Sequence, residues 1–182
     1  MSKENNPIML DLETMDTMPT AAMVSIGAVK FDPDTKEITD RLYVIIDKAT
    51  CFDAGLTVSS DTLDWWEKQS PEAREVLNHP DRVSLEDALF QFRQFANKDS
   101  VVWGNGADFD NAIVQHAYGA LGQKAPWMFW NNRCYRTMKN MFPSIKMRRH
   151  GVHHNALDDA ESQALHLMDI LEHMRSLKPV SQ

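Results

Sequence analysis

Two carboxylates stand one residue apart near the start of the chain, where a short apolar run ends in Asp11, Leu12 and Glu13. Successive side chains of a β-strand point to opposite faces, so Asp11 and Glu13 are expected on one face and Leu12 on the other. Adjacent carboxylates repel each other, and a fold that holds them together usually places a cation between them. An acidic pair after a strand is also common on solvated surfaces, so the pair indicates a metal site only together with further ligands.

Further carboxylates stand at two predicted helix starts. In residues 103–110 (WGNGADFD) the glycines let the backbone turn sharply, and helix capping explains the first aspartate but leaves Asp110 without a structural role. In residues 153–160 (HHNALDDA), His154 and Asp159 stand where the last helix is predicted to begin. A solvated helix terminus would explain this stretch if it stood alone. Each stretch is a weak signal by itself, and the pair on the first strand gains weight from the other two.

The first half of the chain, which must position the first pair, shows strand patterns. Residues 7–12 (PIMLDL), 22–31 (AMVSIGAVKF) and 42–46 (LYVII) are largely apolar, with many β-branched side chains. Residues 32–34 (DPD) indicate a turn, because proline fixes φ at the second turn position. Short connections without an intervening helix predict an antiparallel meander of three strands.

The second half shows helical patterns with one further strand. Helices are predicted over residues 62–68, from 70, from 84, over about 108–118 and over 156–177, and a short buried strand over 100–103. Ser70 and Ser84 are suitable helix caps, and Gly119 is placed to end the helix that begins near residue 108. Three meandering strands followed by strand–helix units predict an α/β fold with a mixed sheet flanked by helices.

Composition and charge exclude several classes of protein. A hydrophobic content of 43% and a charged content of 25% are typical of a globular chain, and we expect residues 1–182 to form a single domain. Two cysteines are too few for a disulfide framework, and the N-terminus does not resemble a signal peptide. Both observations fit a reducing cytoplasm, where we expect the protein. Since no apolar run is long enough to cross a bilayer, we expect no membrane partner.

The net charge of −7 argues against a general nucleic-acid-coating protein. The chain nevertheless carries a local group of basic residues. Its members gather before the last predicted helix: Arg133, Arg136, Lys139, Lys146, Arg148 and Arg149. Such a group can meet phosphates, and a solvated face explains any single member equally well.

The three acidic stretches resemble, in order and in spacing, the motifs of the DEDDh 3′–5′ exonucleases, the proofreading-subunit and RNase T-like group. Residues 11–14 (DLET) are similar to the first motif and residues 105–110 (NGADFD) to the second. Residues 154–159 (HNALDD) are similar to the third, in which four residues separate a histidine from an aspartate. The tryptophan pair at 65–66 resembles a subgroup of phage and prophage exonucleases of the exonuclease VIII kind and a mycobacterial-type exoribonuclease. The resemblance covers nearly the whole chain.

The resemblance implies an RNase H-like fold, in which helices flank a mixed five-stranded sheet made of a three-strand antiparallel meander and parallel strands. It also implies that Asp11, Glu13, Asp110 and Asp159 hold two Mg²⁺ or Mn²⁺ ions, which prefer oxygen ligands. His154 would then act as general base. The implied reaction shortens single-stranded DNA or RNA from its 3′ end and releases nucleoside 5′-monophosphates.

Substrate contacts are also implied by the resemblance. The backbone around Leu12 and Thr14 and the ring of Phe109 are expected to hold the terminal sugar and base. Trp65 or Trp66 is expected to stack on a base, since such stacking tolerates any base. Neighbouring helical residues do not share a face, so we expect Trp66 to be buried and Trp65 to be exposed near the site.

The histidine–aspartate spacing of the third motif occurs twice, as His153 with Asp158 and as His154 with Asp159. Asn155 is a good helix cap, and Asp158 then occupies the third helical position, where an acidic side chain supports the cap and the helix dipole. This leaves Asp159 free for metal. In the family an alanine follows the metal-binding aspartate, and Ala160 follows Asp159 here, which also favours the pairing of His154 with Asp159.

Alternative functions remain open from the sequence. A zinc hydrolase would use His150, His153, His154 and Cys134 as ligands, but it would leave the carboxylate pair of the first strand unexplained. A non-catalytic nucleic-acid-binding module would be expected to lack at least one ligand, and none is missing. An endonuclease of RNase H type is less consistent with a histidine in the third motif. The sequence does not separate DNA from RNA. The apolar residues 126–130 (PWMFW) fit either the core or the interface of a possible homodimer.

Overall fold

In the computed structural model, which describes residues 6–177, a single five-stranded sheet forms the centre of the molecule. Its strands are β1 (Ile8–Thr14), β2 (Met23–Asp32), β3 (Glu37–Ile45), β4 (Val102–Gly104) and β5 (Asn132–Cys134). Their order across the sheet is β3-β2-β1-β4-β5. The first three pair antiparallel, β4 pairs parallel to β1, and β5 pairs parallel to β4. The predicted meander and the mixed five-stranded sheet are therefore confirmed.

Seven α-helices flank the sheet in the described part of the chain. They are α1 (Lys48–Asp53), α2 (Ser60–Glu67), α3 (Pro71–Arg74), α4 (Leu85–Phe95), α5 (Ala112–Ala120), α6 (Tyr135–Met141) and α7 (Ala156–Ser176). Short 3₁₀ turns cover Glu75–Asn78 and Phe129–Asn131, and a π-helical turn covers Ala107–Asn111 just before α5. Among residues 6–177, no helix combines the length and the apolar character needed to cross a membrane.

Two helix caps predicted from the sequence are confirmed, and one predicted helix end is wrong. The side chains of Ser70 and Ser84 cap α3 and α4 by accepting hydrogen bonds from backbone N–H groups. The prediction that Gly119 ends α5 is wrong, because the helix continues to Ala120. Gly122, at φ +67°, takes the left-handed conformation that ends a helix, and the N–H of the next residue closes the motif on the carbonyl of Tyr118 at 2.8 Å.

The sheet packs a hydrophobic layer on each face. On one face, buried residues of β1 and β2 meet α7 at Ala160, Ala164 and Leu167. On the other face, apolar side chains of the first three strands meet α4 and α5. These two layers fix β1 in the middle of the sheet, with α7 directly across from it.

The start of α7 lies unusually close to the sheet. A Cβ atom on Gly27 of β2 would come within 2.1–2.3 Å of the backbone of Ala156 and Leu157, so only glycine fits at this contact. Because β2 is the neighbour of β1, this close approach brings the first turn of α7 beside the end of β1. The acidic residues of both elements therefore meet.

Candidate active site

Three carboxylates cluster where β1 faces the first turn of α7. Asp11 and Glu13 lie one residue apart on β1, and Asp159 lies on α7. Their carboxylate oxygens all lie within 4.8 Å of one another. The strand alternation and the glycine contact under α7 thus bring two predicted ligands from the first motif together with one from the third.

Asp110, the fourth predicted ligand, lies beside this cluster but is held more deeply. It belongs to the π-helical turn after β4, and its side chain is only 2% exposed. Its Oδ2 accepts a 2.8 Å hydrogen bond from the backbone N–H of Asn105. A Cβ on Gly104 would lie 2.4 Å from Asn111 Oδ1 and 3.0 Å from Asp110 Oδ2, so the glycine makes room for both side chains. Turns of this kind are frequent at functional sites, and here the turn directs Asp110 toward Asp11.

Burial and mutual repulsion make the cluster hold protons or cations at neutral pH. Burial, then the neighbouring carboxylates, raises the pKa of Asp11 well above its ordinary value and that of Glu13 to about 10. Burial also raises the pKa of Asp110 to about 7, although backbone N–H donors counteract it. Divalent cations would replace the protons and offset the repulsion, so these carboxylates are suited to bind metal.

His154 lies at the edge of the cluster in a strained backbone conformation, at φ +67°. Its backbone N–H donates to Asp159 Oδ2 at 3.0 Å, which links the histidine to a carboxylate of the cluster. Its ring stacks on His153 with ring centroids 3.7 Å apart and meets Trp65 edge to face at 4.8 Å. Burial, then the neighbouring His153, lowers the pKa of His154. The ring is therefore neutral at pH 7 and able to accept a proton.

A small set of hydrogen bonds fixes the loop that carries His154. Asp158 Oδ2 accepts from the backbone N–H of Val152 at 2.7 Å, and Ser162 Oγ accepts from that of His150 at 2.9 Å. Gly151 has φ +65°, and a Cβ there would lie 2.1 Å from the Asp158 carboxylate. Asp158 is thus an anchor of the loop.

The cap of α7 is Asn155, whose side chain accepts from the N–H groups of Leu157 and Asp158, as the sequence predicted. The expected contribution of the Asp158 side chain to the cap needs correction, because that carboxylate bonds to the preceding loop. The carboxylate of Asp159, in contrast, belongs to the cluster.

A cavity of about 730 Å³ opens over the cluster. The four residues expected to contact substrate all line it: Leu12, Thr14, Trp65 and Phe109. Trp65 is 38% exposed, whereas Trp66 is 2% exposed and donates from its Nε1 to the carbonyl of Thr14 at 2.9 Å. The two tryptophans therefore face the cavity and the core respectively, which is the arrangement predicted from the sequence.

Two residues that contact the carboxylates were not singled out in the sequence as site residues. Gln163 Nε2 donates to Asp11 Oδ1 at 2.7 Å, and Arg149 Nη1 donates to Asp159 Oδ1 at 2.6 Å. Gln163 stands four residues after Asp159, hence on the same helix face, which is the only signal the sequence offers for it. Arg149 belongs to the basic group, but nothing in the sequence distinguishes it from its neighbours.

The donor set fits hard divalent cations. Its members are carboxylate oxygens, and the buried Oε1 of Gln163 has no hydrogen-bond partner, so it is available to a water molecule on a bound ion. A second group of possible ligands is His153, His154 and Asp159. Neither Cys134 nor His150 joins either group, so the four zinc ligands considered from the sequence do not come together among residues 6–177.

Comparison with known proteins points in the same direction. The family model of the 3′–5′ exoribonuclease Rv2179c-like domain matches residues 6–171. The exodeoxyribonuclease of Enterobacteria phage T4 is 26% identical over a region that covers 70% of this chain and 68% of the phage protein.

Similar solved structures share the fold. One is the nuclease domain of 3′hExo, a DEDDh family member, bound to rAMP. It gives a TM-score of 0.62 at 11% sequence identity, and the match covers 93% of this chain and 92% of that one. Exonuclease X with 5′-overhanging duplex DNA gives a TM-score of 0.56 at 17% identity and covers 91% of each chain. E. coli exonuclease I with a dT13 oligonucleotide gives 0.60 at 14% identity, over 93% of this chain and 41% of that one.

The family model covers most of the chain. The fold brings the carboxylates of the first and third motifs together, and Asp110 of the second motif is close enough to raise the pKa of Asp11. This chain therefore belongs to the family of the 3′–5′ exoribonuclease Rv2179c-like domain, and it is a 3′–5′ exonuclease that acts on nucleic acid.

Proposed function

We propose that the protein shortens single-stranded DNA or RNA from the 3′ end and releases nucleoside 5′-monophosphates. Asp11, Glu13, Asp110 and Asp159 hold two divalent cations, Mg²⁺ or Mn²⁺, and His154 is the general base. The observation that carries the proposal is the carboxylate cluster on the floor of the cavity, linked to His154 through its N–H bond to Asp159.

Each group of side chains has its own role in hydrolysis. When bound, the cations lower the pKa of water and stabilise the leaving 3′ oxygen. His154 takes the proton of the attacking water, a task that its neutral ring at pH 7 supports. Gln163 orients Asp11 through their 2.7 Å hydrogen bond.

The shape of the cavity favours a single strand. A volume of about 730 Å³ lies within the usual range of small-ligand pockets and suits one nucleotide end, not a duplex. Trp65 offers an exposed ring for base stacking, worth about 1–3 kcal/mol per base and tolerant of any sequence. Leu12, Thr14 and Phe109 line the same space and hold the terminal nucleotide.

Both DNA and RNA are included in the proposal. The family model is described as an exoribonuclease, whereas the phage T4 relative is an exodeoxyribonuclease. Discrimination between the two depends on one or two contacts to the 2′ position, and no side chain of the cavity is assigned to it.

The proposal is tested by digesting 5′-end-labelled single-stranded DNA and RNA of one sequence, side by side, with Mg²⁺, Mn²⁺ or EDTA. The expected result is a ladder that shortens one nucleotide at a time from the 3′ end, and only with added metal. Asp159→Asn is the inactive control. Release of internal fragments, or full turnover in EDTA, would overturn it.

The proposal also covers the domain organisation, the location and the pairing of the protein. Residues 1–182 act as one exonuclease domain. A cytoplasmic location is supported by two free cysteines, of which Cys51 is buried. Pairing of two copies is supported by the exposed rings of Phe129 (70%) and Trp130 (60%), next to Trp127, which is buried in the core. Light scattering of the wild type and of Trp130→Ala tests the pairing, and a monomer at all concentrations would exclude it.

A further inference from the structure

A second hollow adjoins the active-site cavity. It measures about 340 Å³ and lies between α6, the loop that follows it, and His166 of α7. Lys139 and Met147 line both spaces. A chain-like ligand that leaves the active site between these two side chains therefore enters the hollow directly.

The wall of this hollow is held rigidly by a buried histidine. His166 is 3% exposed, and with its Nε2–H it donates to the carbonyl of Ile145 at 2.8 Å. Its Nδ1 then accepts the O–H of Tyr135 at 2.6 Å. Both ring nitrogens are thus used to fix α6 and the loop around residue 145 to α7. The hollow is a shaped part of the fold, formed by residues that do not take part in the proposed hydrolysis.

The hollow is positively charged in a protein that is acidic as a whole. Lys139 and Lys146 line it, and no carboxylate does. Within the described residues, neither lysine forms an ion pair with a carboxylate. Lys139 lies over the ring of Tyr135, 5.7 Å from its centroid, but neither ammonium group is neutralised by a carboxylate among residues 6–177. Both lysines are therefore placed to attract an anion that extends out of the active site.

We propose that this hollow is a subsite for the phosphodiester backbone of the nucleotides upstream of the cleaved bond, with Lys146 as its main cation. The inference rests on the proposed function, because only a substrate strand would run from the carboxylates past Lys139. The cleaved bond supplies the phosphate at the metal site, and each upstream nucleotide supplies another. Substrates long enough to reach Lys146 gain a contact that a dinucleotide lacks.

The subsite predicts a length preference that depends on Lys146. In Lys146→Gln, the ratio of kcat/KM for a hexanucleotide to kcat/KM for a dinucleotide is expected to fall about three- to fivefold at 0.1 M salt, as for a lost, partly exposed charge contact. The slope of log kcat/KM against log salt for the hexanucleotide should become shallower by about 0.7, the value for one phosphate on a single strand. Lys146→Arg should keep both, because it keeps the charge.

Lys98→Gln is the matched control, since Lys98 is exposed, lines neither space and loses the same charge. The length ratio and salt slope of this variant should equal those of the wild type. A Lys146→Gln ratio equal to that of the wild type or of Lys98→Gln would overturn the subsite, as would a wild type with no length preference. If the wild type shortens no oligonucleotide of any length, the proposed function itself fails, which is a distinguishable result.

Discussion

Replacing Asp11 by asparagine should stabilise the metal-free protein while it removes a metal ligand. The carboxylate oxygens of Asp11, Glu13 and Asp159 lie within 4.8 Å of one another, so Asp11 is crowded by like groups. An asparagine at this position can still accept the 2.7 Å hydrogen bond from Gln163 Nε2. The substitution therefore removes charge and leaves shape and hydrogen bonding nearly unchanged.

Two estimates of the free energy of unfolding that Asp11→Asn gains agree in size. Unit charges 4.8 Å apart repel by about 3 kcal/mol at an effective dielectric constant of about 20. The metal-free protein can avoid this repulsion by protonating Asp11, and protonating a group with an ordinary pKa of 3.8 costs about 4 kcal/mol at pH 7. We therefore expect Asp11→Asn to gain about 2–4 kcal/mol, or roughly 5–10 °C in Tm for a chain of this size.

The gain should grow with pH. Because the folded-state pKa values of Asp11 and Glu13 are raised, the folded protein binds more protons than the unfolded chain above pH 4. The contribution of these two groups to the stability of the metal-free wild type is therefore greatest at low pH and falls as pH rises. For Glu13, whose folded-state pKa is about 10, the fall continues up to about pH 10. Asp11→Asn removes one of the two groups that cause this fall.

Thermal unfolding in EDTA at pH 5, 7 and 8 measures the effect. Asp64→Asn is the control, since Asp64 is exposed on α2. On addition of Mn²⁺ the order should reverse, because the wild type binds the ion and the variant has lost a ligand and its turnover. The reasoning is refuted if Asp11→Asn is no more stable than the wild type in EDTA at pH 8.

Three further predictions concern the loop before α7. His154→Ala should lower kcat by about 10²–10⁴, the usual loss for a general base, while His153→Ala should lower kcat much less. Because His153 lowers the pKa of His154, His153→Ala should also move the acid limb of the pH–kcat profile upward from below pH 6.5. The opposite ranking of the two variants in pH–rate profiles would shift the site by one residue. Asp158→Ala should lower kcat about tenfold, because it removes the acceptor that holds the N–H of Val152 and with it the loop of His154. Asparagine can still accept that bond and should restore most of the kcat. Equal kcat values in both variants would exclude the anchor role. Arg149→Ala should tighten Mn²⁺ binding about fivefold in calorimetry, because the half-exposed arginine competes with cations for Asp159; unchanged or weaker binding would contradict this.

Much of the fold could be predicted because its strands and long helices are strongly patterned. The fifth strand could not: Asn132, Arg133 and Cys134 are polar or small, and they become a strand only by pairing with β4. The end of α5 was missed for a related reason. Gly119 and Gly122 are both glycines that can leave the helix, and only the tertiary position of the chain decides which one does.

Site residues could be predicted where strand alternation or helix capping fixes their position. They were missed where contacts between distant parts of the chain fix it. The alternation along β1 placed Asp11 and Glu13 on one face, and the cap at Asn155 set the register of α7. The depth of Asp110 depends on a π-helical turn and on the Asn105 N–H, which no periodicity reports. In the sequence, Gln163 cannot be distinguished from other polar helix residues. Its contact with Asp11 of β1 depends on the close approach of α7 to β2.

The central claim is that the carboxylates of β1 and α7 hold the catalytic cations. An anomalous difference map from crystals soaked in Mn²⁺ with a nucleoside 5′-monophosphate tests it most directly. Two peaks about 3.5–4 Å apart, bound by Asp11, Glu13 and Asp159 with Asp110 beside them, are expected. A single peak on His153, His154 and Asp159, with no density at Asp11 and Glu13, would contradict the account.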